Sequence, residues 1–201
     1  MIDKEYLVHN IKNCKDVYPP ADDSFLLMDS IEKIKLDGSE KCLDICCGTG
    51  IVGIYASNFV KTIAFLDKMK HALICAKKNT KFFGVSGNFI ESDLFDKIDE
   101  KYDLILFNPP YLPTDESSKI KGKLNEALDG GKTGRNVIDR FIETFSDHLT
   151  EKGQVLMVDS SLDNTNKTIK KLKSKGFLVE IVDSKSFFFE KLSIIWVKKV
   201  V

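Results

Sequence analysis

The 201 residues carry 30 Lys+Arg against 30 Asp+Glu with 43% hydrophobic side chains, a balance that suits one domain over residues 1–201 and leaves no global field to draw the chain onto nucleic acid or anionic lipid. No apolar run approaches the roughly 20 residues of a membrane-spanning helix, and Met1-Ile2-Asp3-Lys4-Glu5 lacks the basic-then-apolar pattern of a secretory signal, so a cytoplasmic location is expected. Cys14, Cys42, Cys46, Cys47 and Cys75 make no CxxC pair and read as reduced, mostly buried thiols, with neither a disulfide nor a zinc site expected.

Asp22 and Asp23 open a helix whose apolar positions Phe25, Leu26, Met28, Ile31 and Ile34 keep helical spacing, and Asp37-Gly38 ends it. Residues 41–46 read as a first strand, and Gly48-Thr49-Gly50 turns into a helix through Ile51, Val52, Ile54 and Tyr55. A second strand over 62–66 ends at Asp67, a helix covers 69 to about 82, and third and fourth strands cover 88–91 and 102–107. Asn108-Pro109-Pro110-Tyr111 follows at once. A long polar loop closed by Gly130-Gly131 leads to a helix over 135–148 and a fifth strand over 154–158. After a lysine-rich helix over 165–175, the segments 177–183 and 192–198 are joined by too few residues for a crossover helix and must pair antiparallel. This order predicts an α/β fold with a seven-stranded, mostly parallel sheet, helices on both faces and a C-terminal antiparallel hairpin. It resembles the Rossmann-like architecture of class I methyltransferases.

In open α/β sheets ligands sit beyond the carboxyl ends of the strands where strand order reverses, which directs attention to the first strand-to-helix turn, Asp44-Ile45-Cys46-Cys47-Gly48-Thr49-Gly50. Gly48 and Gly50 permit close backbone approach, while the absence of a full GxGxxG and of a following Gly-Lys-Ser/Thr excludes a Walker A loop. Asp67, 17 residues after Gly50, can accept from both hydroxyls of a ribose, which NAD would also satisfy. Ser92-Asp93-Leu94 puts another carboxylate where it can accept from the exocyclic amine of adenine. Acidic strand ends suit a cation, and S-adenosyl-L-methionine carries a sulfonium and an ammonium where NAD carries a pyrophosphate; Asp44 or Asp23 would take the ammonium. Taken alone, a Gly-x-Gly turn with a downstream Asp is also a common tight turn and helix cap. Cys46 and Cys47, with no paired histidine, read as small buried fillers, and His9, His71 and His148 as surface or capping residues.

The tetrapeptide supplies the chemistry. Methyl transfer is an in-line displacement, and an amide or adenine amino nitrogen is a poor nucleophile because its lone pair is delocalised. Two acceptors holding the NH₂ protons position it and favour charge building up there. Asn108 offers a side-chain carbonyl and Pro109 a backbone carbonyl, Pro109 and Pro110 rigidify the turn, and Tyr111 offers a flat packing surface. Asn-Pro-Pro is also an ordinary strand-ending turn; its place directly after the apolar strand, at the sheet edge that carries Asp44, Asp67 and Asp93, favours the catalytic reading.

At these residues the chain resembles the HemK-type glutamine methyltransferases, in particular the short archaeal and eukaryotic branch that modifies class 1 translation release factors. The likeness is carried by Val17-Tyr18-Pro19-Pro20-Ala21-Asp22-Asp23-Ser24-Phe25, by Asn108 to Tyr111, by Glu126-Ala127-Leu128-Asp129-Gly130-Gly131 with Gly134-Arg135, and by the closing hairpin. It covers nearly the whole chain, and the extra N-terminal helical domain of bacterial members is not expected. The resemblance implies methylation at N5 of the glutamine in the Gly-Gly-Gln loop of a release factor. It implies Ser24, Asp44, Gly48, Asp67, Asp93, Leu94 and Asn108 around S-adenosylmethionine, with Asn108 to Tyr111 holding the acceptor. It also implies a small zinc-binding activator protein adding to the third strand at 88–91, predicted to be an exposed edge. One departure is Cys46, where the family usually has the first glycine of its turn. The competing reading is a DNA or RNA adenine-N6 methyltransferase, since adenine presents the same planar NH₂. Neutral charge, Arg135 and Arg140 as the only arginines and no target-recognition segment count against it. A noncatalytic cofactor-binding scaffold is disfavoured by the intact Asn108 and Tyr111. The loop over 113–132 is expected to border the acceptor channel, its polar composition suiting a peptide.

Overall fold

A computed structural model of the chain describes residues 1–114 and 128–200. Among the described residues the strands are β1 (Lys41–Ile45), β2 (Thr62–Asp67), β3 (Asn88–Glu91), β4 (Tyr102–Phe107), β5 (Leu149–Ser160), β6 (Phe177–Ser186) and β7 (Lys191–Lys199). They form one sheet in the order β3-β2-β1-β4-β5-β7-β6. The pairings from β3 to β5 are parallel, and β7 runs antiparallel to both β5 and β6. The helices are α1 (Lys4–Asn10), α2 (Asp22–Ile31), α3 (Ile51–Ala56), α4 (Lys70–Phe83), α5 (Asn136–Thr144) and α6 (Thr165–Ser174). This is the seven-stranded, mostly parallel arrangement that the alternation of apolar runs and amphipathic segments predicts.

The central strands read as unbroken apolar runs because both faces are covered. Leu104 and Leu106 of β4 point into the layer formed by α1 to α4, while Ile105 and Phe107 point into the layer formed by α5 and α6. Strand order reverses between β1 and β4, so the crevice beyond their carboxyl ends is the topological switch point.

Several boundaries differ from the sequence expectation. α1 was not predicted; it is a short helix capped by the Asp3 carboxylate, which accepts from Tyr6 N at 2.8 Å. α2 stops at Ile31 rather than running to Asp37, because Lys33 N closes back on Ser30 O at 3.1 Å and tightens the last turn. Ile34 still packs on the core, from outside the helix. β5 begins at Leu149, ahead of the polar stretch Thr150-Glu151-Lys152-Gly153, which carries no apolar alternation and joins the strand through a register shift against β4.

The cysteine expectation is corrected. Cys14 and Cys75 form a disulfide with their Cα atoms 5.9 Å apart, and Cys42, Cys46 and Cys47 remain free. Spacing arguments detect pairs close in sequence, whereas these are 61 residues apart and meet because residues 11–21 cross over α4. The crossing is also held by Asn79, which accepts from Lys12 N at 3.0 Å and donates to Lys12 O at 3.1 Å.

Candidate active site

The switch-point crevice opens into a cleft of about 1020 Å³, counting its mouth. Residues 17–24, the β1–α3 turn, the ends of β2 and β3 and the tetrapeptide after β4 build most of it, and Leu128 with Val137 and Arg140 of α5 complete the wall.

Asp44, near the end of β1, is buried and accepts from Gly53 N at 3.0 Å through Oδ2. Burial pushes its pKa up to about 8; the Gly53 N–H works the other way and the Asp67 carboxylate adds to the rise. In the turn that follows, Cys46 adopts φ 59° and Gly48 φ 52°. The cysteine that departs from the family pattern takes the left-handed conformation that favours glycine. A Cβ on Gly48 would meet nothing within 4 Å, so its missing side chain keeps cleft space clear.

Asp67 ties two turns together, since its Oδ2 accepts from Gly48 N at 3.1 Å and its Oδ1 from Met69 N at 2.8 Å. Burial nevertheless holds its pKa above the usual carboxylate value, with those two N–H groups opposing the shift. At the end of β3, Asp93 lines the cleft and both its oxygens accept from Arg140 Nη1, at 3.1 and 3.0 Å. Leu94 beside it is buried with φ 49°. Gly50 is placed beside the cleft, against α4. It lies outside the lining, at the N-cap of α3 with φ 81°, and its added Cβ would sit 3.1 Å from Ala76 Cβ.

The tetrapeptide is held by a chain of hydrogen bonds to α2. Tyr111 Oη donates to Asp23 Oδ2 at 3.2 Å, Ser24 N and Oγ donate to Asp23 Oδ1 at 2.5 and 3.1 Å, and Asn108 Nδ2 donates to Ser24 Oγ at 3.5 Å. Both oxygens of Asp23 are thus engaged. With its NH₂ turned to Ser24, Asn108 keeps Oδ1 as a buried acceptor that has no donor among the described residues. Burial and the Asp23 carboxylate push the phenols of Tyr111 and Tyr18 well above their ordinary value, so both remain protonated donors.

Behind Tyr111 lies the glycine loop. Gly130 N donates to Leu112 O at 2.9 Å and Thr114 N to Gly131 O at 3.0 Å. Gly134, at φ 74°, packs so closely that a Cβ would lie 2.4 Å from Tyr111 O. Arg135 is buried beside it and donates to Asp163 O at 2.8 Å and Thr168 Oγ1 at 2.9 Å. Of the loop over 113–132 expected to border the acceptor channel, 115–127 lie outside the described residues, Glu126 and Ala127 among them; Leu128 within it and Leu112 just before it line the cleft.

The structure brings Asp23, Ser24, Asp44, Cys46, Gly48, Asp67, Asp93, Leu94 and Asn108 to Tyr111 to this one cleft. Sequence reasoning gave no role to Tyr18, Lys68, Met69 or Arg140, which also line it. Lys68 and Met69 could have been found as neighbours of Asp67. Arg140 could not, because it sits on α5, 47 residues from its partner Asp93.

A family model of the methyltransferase small domain matches residues 22–186. The chain is 44% identical over 181 residues to a protein of Methanocaldococcus jannaschii named "Putative protein N5-glutamine methyltransferase", covering 90% of each. It is 31% identical to the human methyltransferase HEMK2, over 90% of this chain and 88% of that one. Among solved structures, Mtq2 from the E. cuniculi Mtq2-Trm112 complex, described as responsible for methylation of the eRF1 translation termination factor, superposes with a TM-score of 0.74. Identity there is 26%, with 92% of this chain and 99% of that chain covered.

Proposed function

The chain belongs to the HemK-type N5-glutamine methyltransferases, in their archaeal and eukaryotic branch, and from that premise we propose that it methylates the glutamine side-chain amide of the Gly-Gly-Gln loop in a class 1 release factor, using S-adenosylmethionine. The observation that carries this reading is the buried Asn108 Oδ1, an acceptor with no donor of its own among the described residues, set in a rigid turn at the edge of an acidic cleft. A buried acceptor left unpaired costs stability, and the NH₂ of a bound amide would satisfy it.

The residues fit the cofactor. Gly48 leaves the wall of the cleft clear, and the acid groups there suit a cationic ligand better than a pyrophosphate. When bound, S-adenosylmethionine supplies a methyl carbon activated by a positively charged sulfur. Asp44 is the group to face the ammonium, because it accepts one hydrogen bond, from Gly53 N, where Asp23 already accepts three, from Tyr111 Oη and from Ser24 N and Oγ. Asp67 retains lone pairs beyond its two backbone donors for a ribose diol. Asp93, oriented by Arg140, faces the adenine amine. Asn108 Oδ1 and the Pro109 carbonyl each accept a hydrogen bond from one N–H of the acceptor NH₂, turning its lone pair toward the methyl carbon. Tyr111, fixed by Asp23, packs against the flat amide. The methyl group would pass to nitrogen as its bond to sulfur breaks, and the nitrogen, acidic once methylated, would release its proton to solvent without a strong base.

A small activator is part of the proposal. β3 has four residues and stands at the edge of the sheet, a place where another chain can add a strand. The E. cuniculi neighbour was solved with Trm112.

The test is radiolabel transfer from S-adenosylmethionine to a release factor, its Gly-Gly-Gln glutamine-to-alanine variant, DNA and transfer RNA, with and without a zinc-binding activator. Label should enter only the intact release factor, and Asn108→Ala should reduce it by about 10²-fold or more. Labelled nucleic acid with an unlabelled release factor would overturn the substrate assignment.

A further inference from the structure

The turn between β6 and β7 is Phe187-Phe188-Phe189-Glu190, closed by Phe187 N donating to Glu190 O at 2.7 Å. Turn positions ordinarily go to Gly, Asn, Asp, Pro or Ser, each for a backbone reason. Here two phenylalanines are 91% and 84% exposed, so they contribute almost nothing to the core. Their rings meet edge to face at 4.5 Å and form one apolar knob.

The knob is anchored at its base. Ser160 Oγ donates to Glu190 Oε1 at 2.6 Å, Lys191 N donates to Ser161 Oγ at 2.9 Å, and Lys185 Nζ pairs with Asp22 Oδ1 at 2.6 Å. These contacts fasten it to the carboxyl end of β5 and the start of α2, the same sheet edge that carries Asn108 to Tyr111. The Glu190 carboxylate is near enough to add to the upward push on the phenols of both Tyr18 and Tyr111. The turn that carries the exposed pair therefore sits at the cleft's edge of the sheet, bonded to Ser160 and tied to Asp22, the neighbour of the cleft residue Asp23.

We infer that Phe188 and Phe189 form a docking knob for the methyl-accepting protein, taking an apolar surface beside the acceptor residue while Asn108 to Tyr111 hold its amide. This deepens the protein-acceptor reading and rests on it. A metabolite would fit within the cleft and have no use for an apolar knob outside it, whereas a folded acceptor protein must press its surface on the rim to deliver one side chain inside. Exposed apolar groups of this kind gain only when a partner covers them.

The test compares wild type with a Phe188→Ser/Phe189→Ser variant, whose changes touch no core contact, using the intact release factor and a short peptide spanning its Gly-Gly-Gln loop, activator present. KM for the intact protein should rise by about 10- to 100-fold, with kcat, activity on the peptide and cofactor affinity unchanged. Equal KM values for the two enzymes on the intact protein overturn the knob and leave the reaction standing. Failure of wild type to label either acceptor removes the reading and the knob with it. Ultracentrifugation and vesicle flotation supply the remaining arms. A wild-type dimer that the variant loses, or wild-type binding to vesicles that the variant loses, with KM unaltered, reassigns the pair to self-association or to a lipid surface and overturns the inference.

Discussion

At the residue scale, Asp44 and Cys46 show how the tertiary setting changes what a side chain does. Asp44 has a pKa of about 8 in the folded protein against 3.8 for an unperturbed carboxyl, so at neutral pH it is mostly protonated until a cation arrives. Binding a cationic ligand must then expel that proton. Affinity for S-adenosylmethionine should climb with pH by up to about tenfold per unit below pH 8 and level off above it. Calorimetry in buffers of different ionisation enthalpy should show proton release that vanishes in Asp44→Asn, along with about tenfold or more of the affinity. Cys46 is predictable in the same way. At φ 59° it tolerates glycine, and Cys46→Gly should keep cofactor binding. Cys46→Val places a β-branched residue in the left-handed region and should cost about 1–3 kcal/mol, measurable by urea unfolding. The residue types of the cleft were legible in the sequence because they sit at strand ends. Their availability was not, since Asp23 looks like an ammonium partner until Tyr111 is seen bonded to it.

At the scale of elements, the clamp depends on loops that come from distant parts of the chain. Gly134 lies against the Tyr111 carbonyl, so Gly134→Ala should push that backbone outward and lower kcat by about tenfold or more, while chemical denaturation registers a loss of about 1–3 kcal/mol. A normal kcat would mean that the glycine loop only fills space. The Cys14–Cys75 link fastens residues 11–21, which bring Tyr18 to the cleft, onto α4. Cys14→Ser should cost about 2–4 kcal/mol of stability under non-reducing conditions, and added reductant should bring wild type down to the same value. The sequence does not announce either contact, because helical and strand periodicities report which face of an element is apolar and say nothing about which loop lies over it.

At the scale of the whole molecule, buried carboxyls set the response to pH. Burial raises the pKa of Asp44, Asp67, Asp159 and Asp163, and Arg135 is the cation facing the last two. Each such group binds its proton more tightly when folded, so its stabilising contribution is intact below about pH 4 and is lost as pH rises through its folded value. Thermal melts should therefore decline between pH 5 and pH 9, by about 2–4 °C for each kcal/mol lost, and S-adenosylmethionine should recover part of the decline by neutralising Asp44. A melting temperature that rises over that range would contradict the buried-carboxyl account. The sequence by itself determined the sheet class, the antiparallel ending and the residue types at the strand ends, because apolar runs, turn residues and short connections are local and follow the 2.0 and 3.6 periods of the backbone. Only the tertiary structure decided the disulfide, the α2 brace on Asn108 and Tyr111, the Arg140–Asp93 pair and the seating of the β6–β7 turn against Ser160 and Asp22. Each of these joins or positions residues remote in sequence, and their meeting depends on how the layers stack rather than on any pattern along the chain.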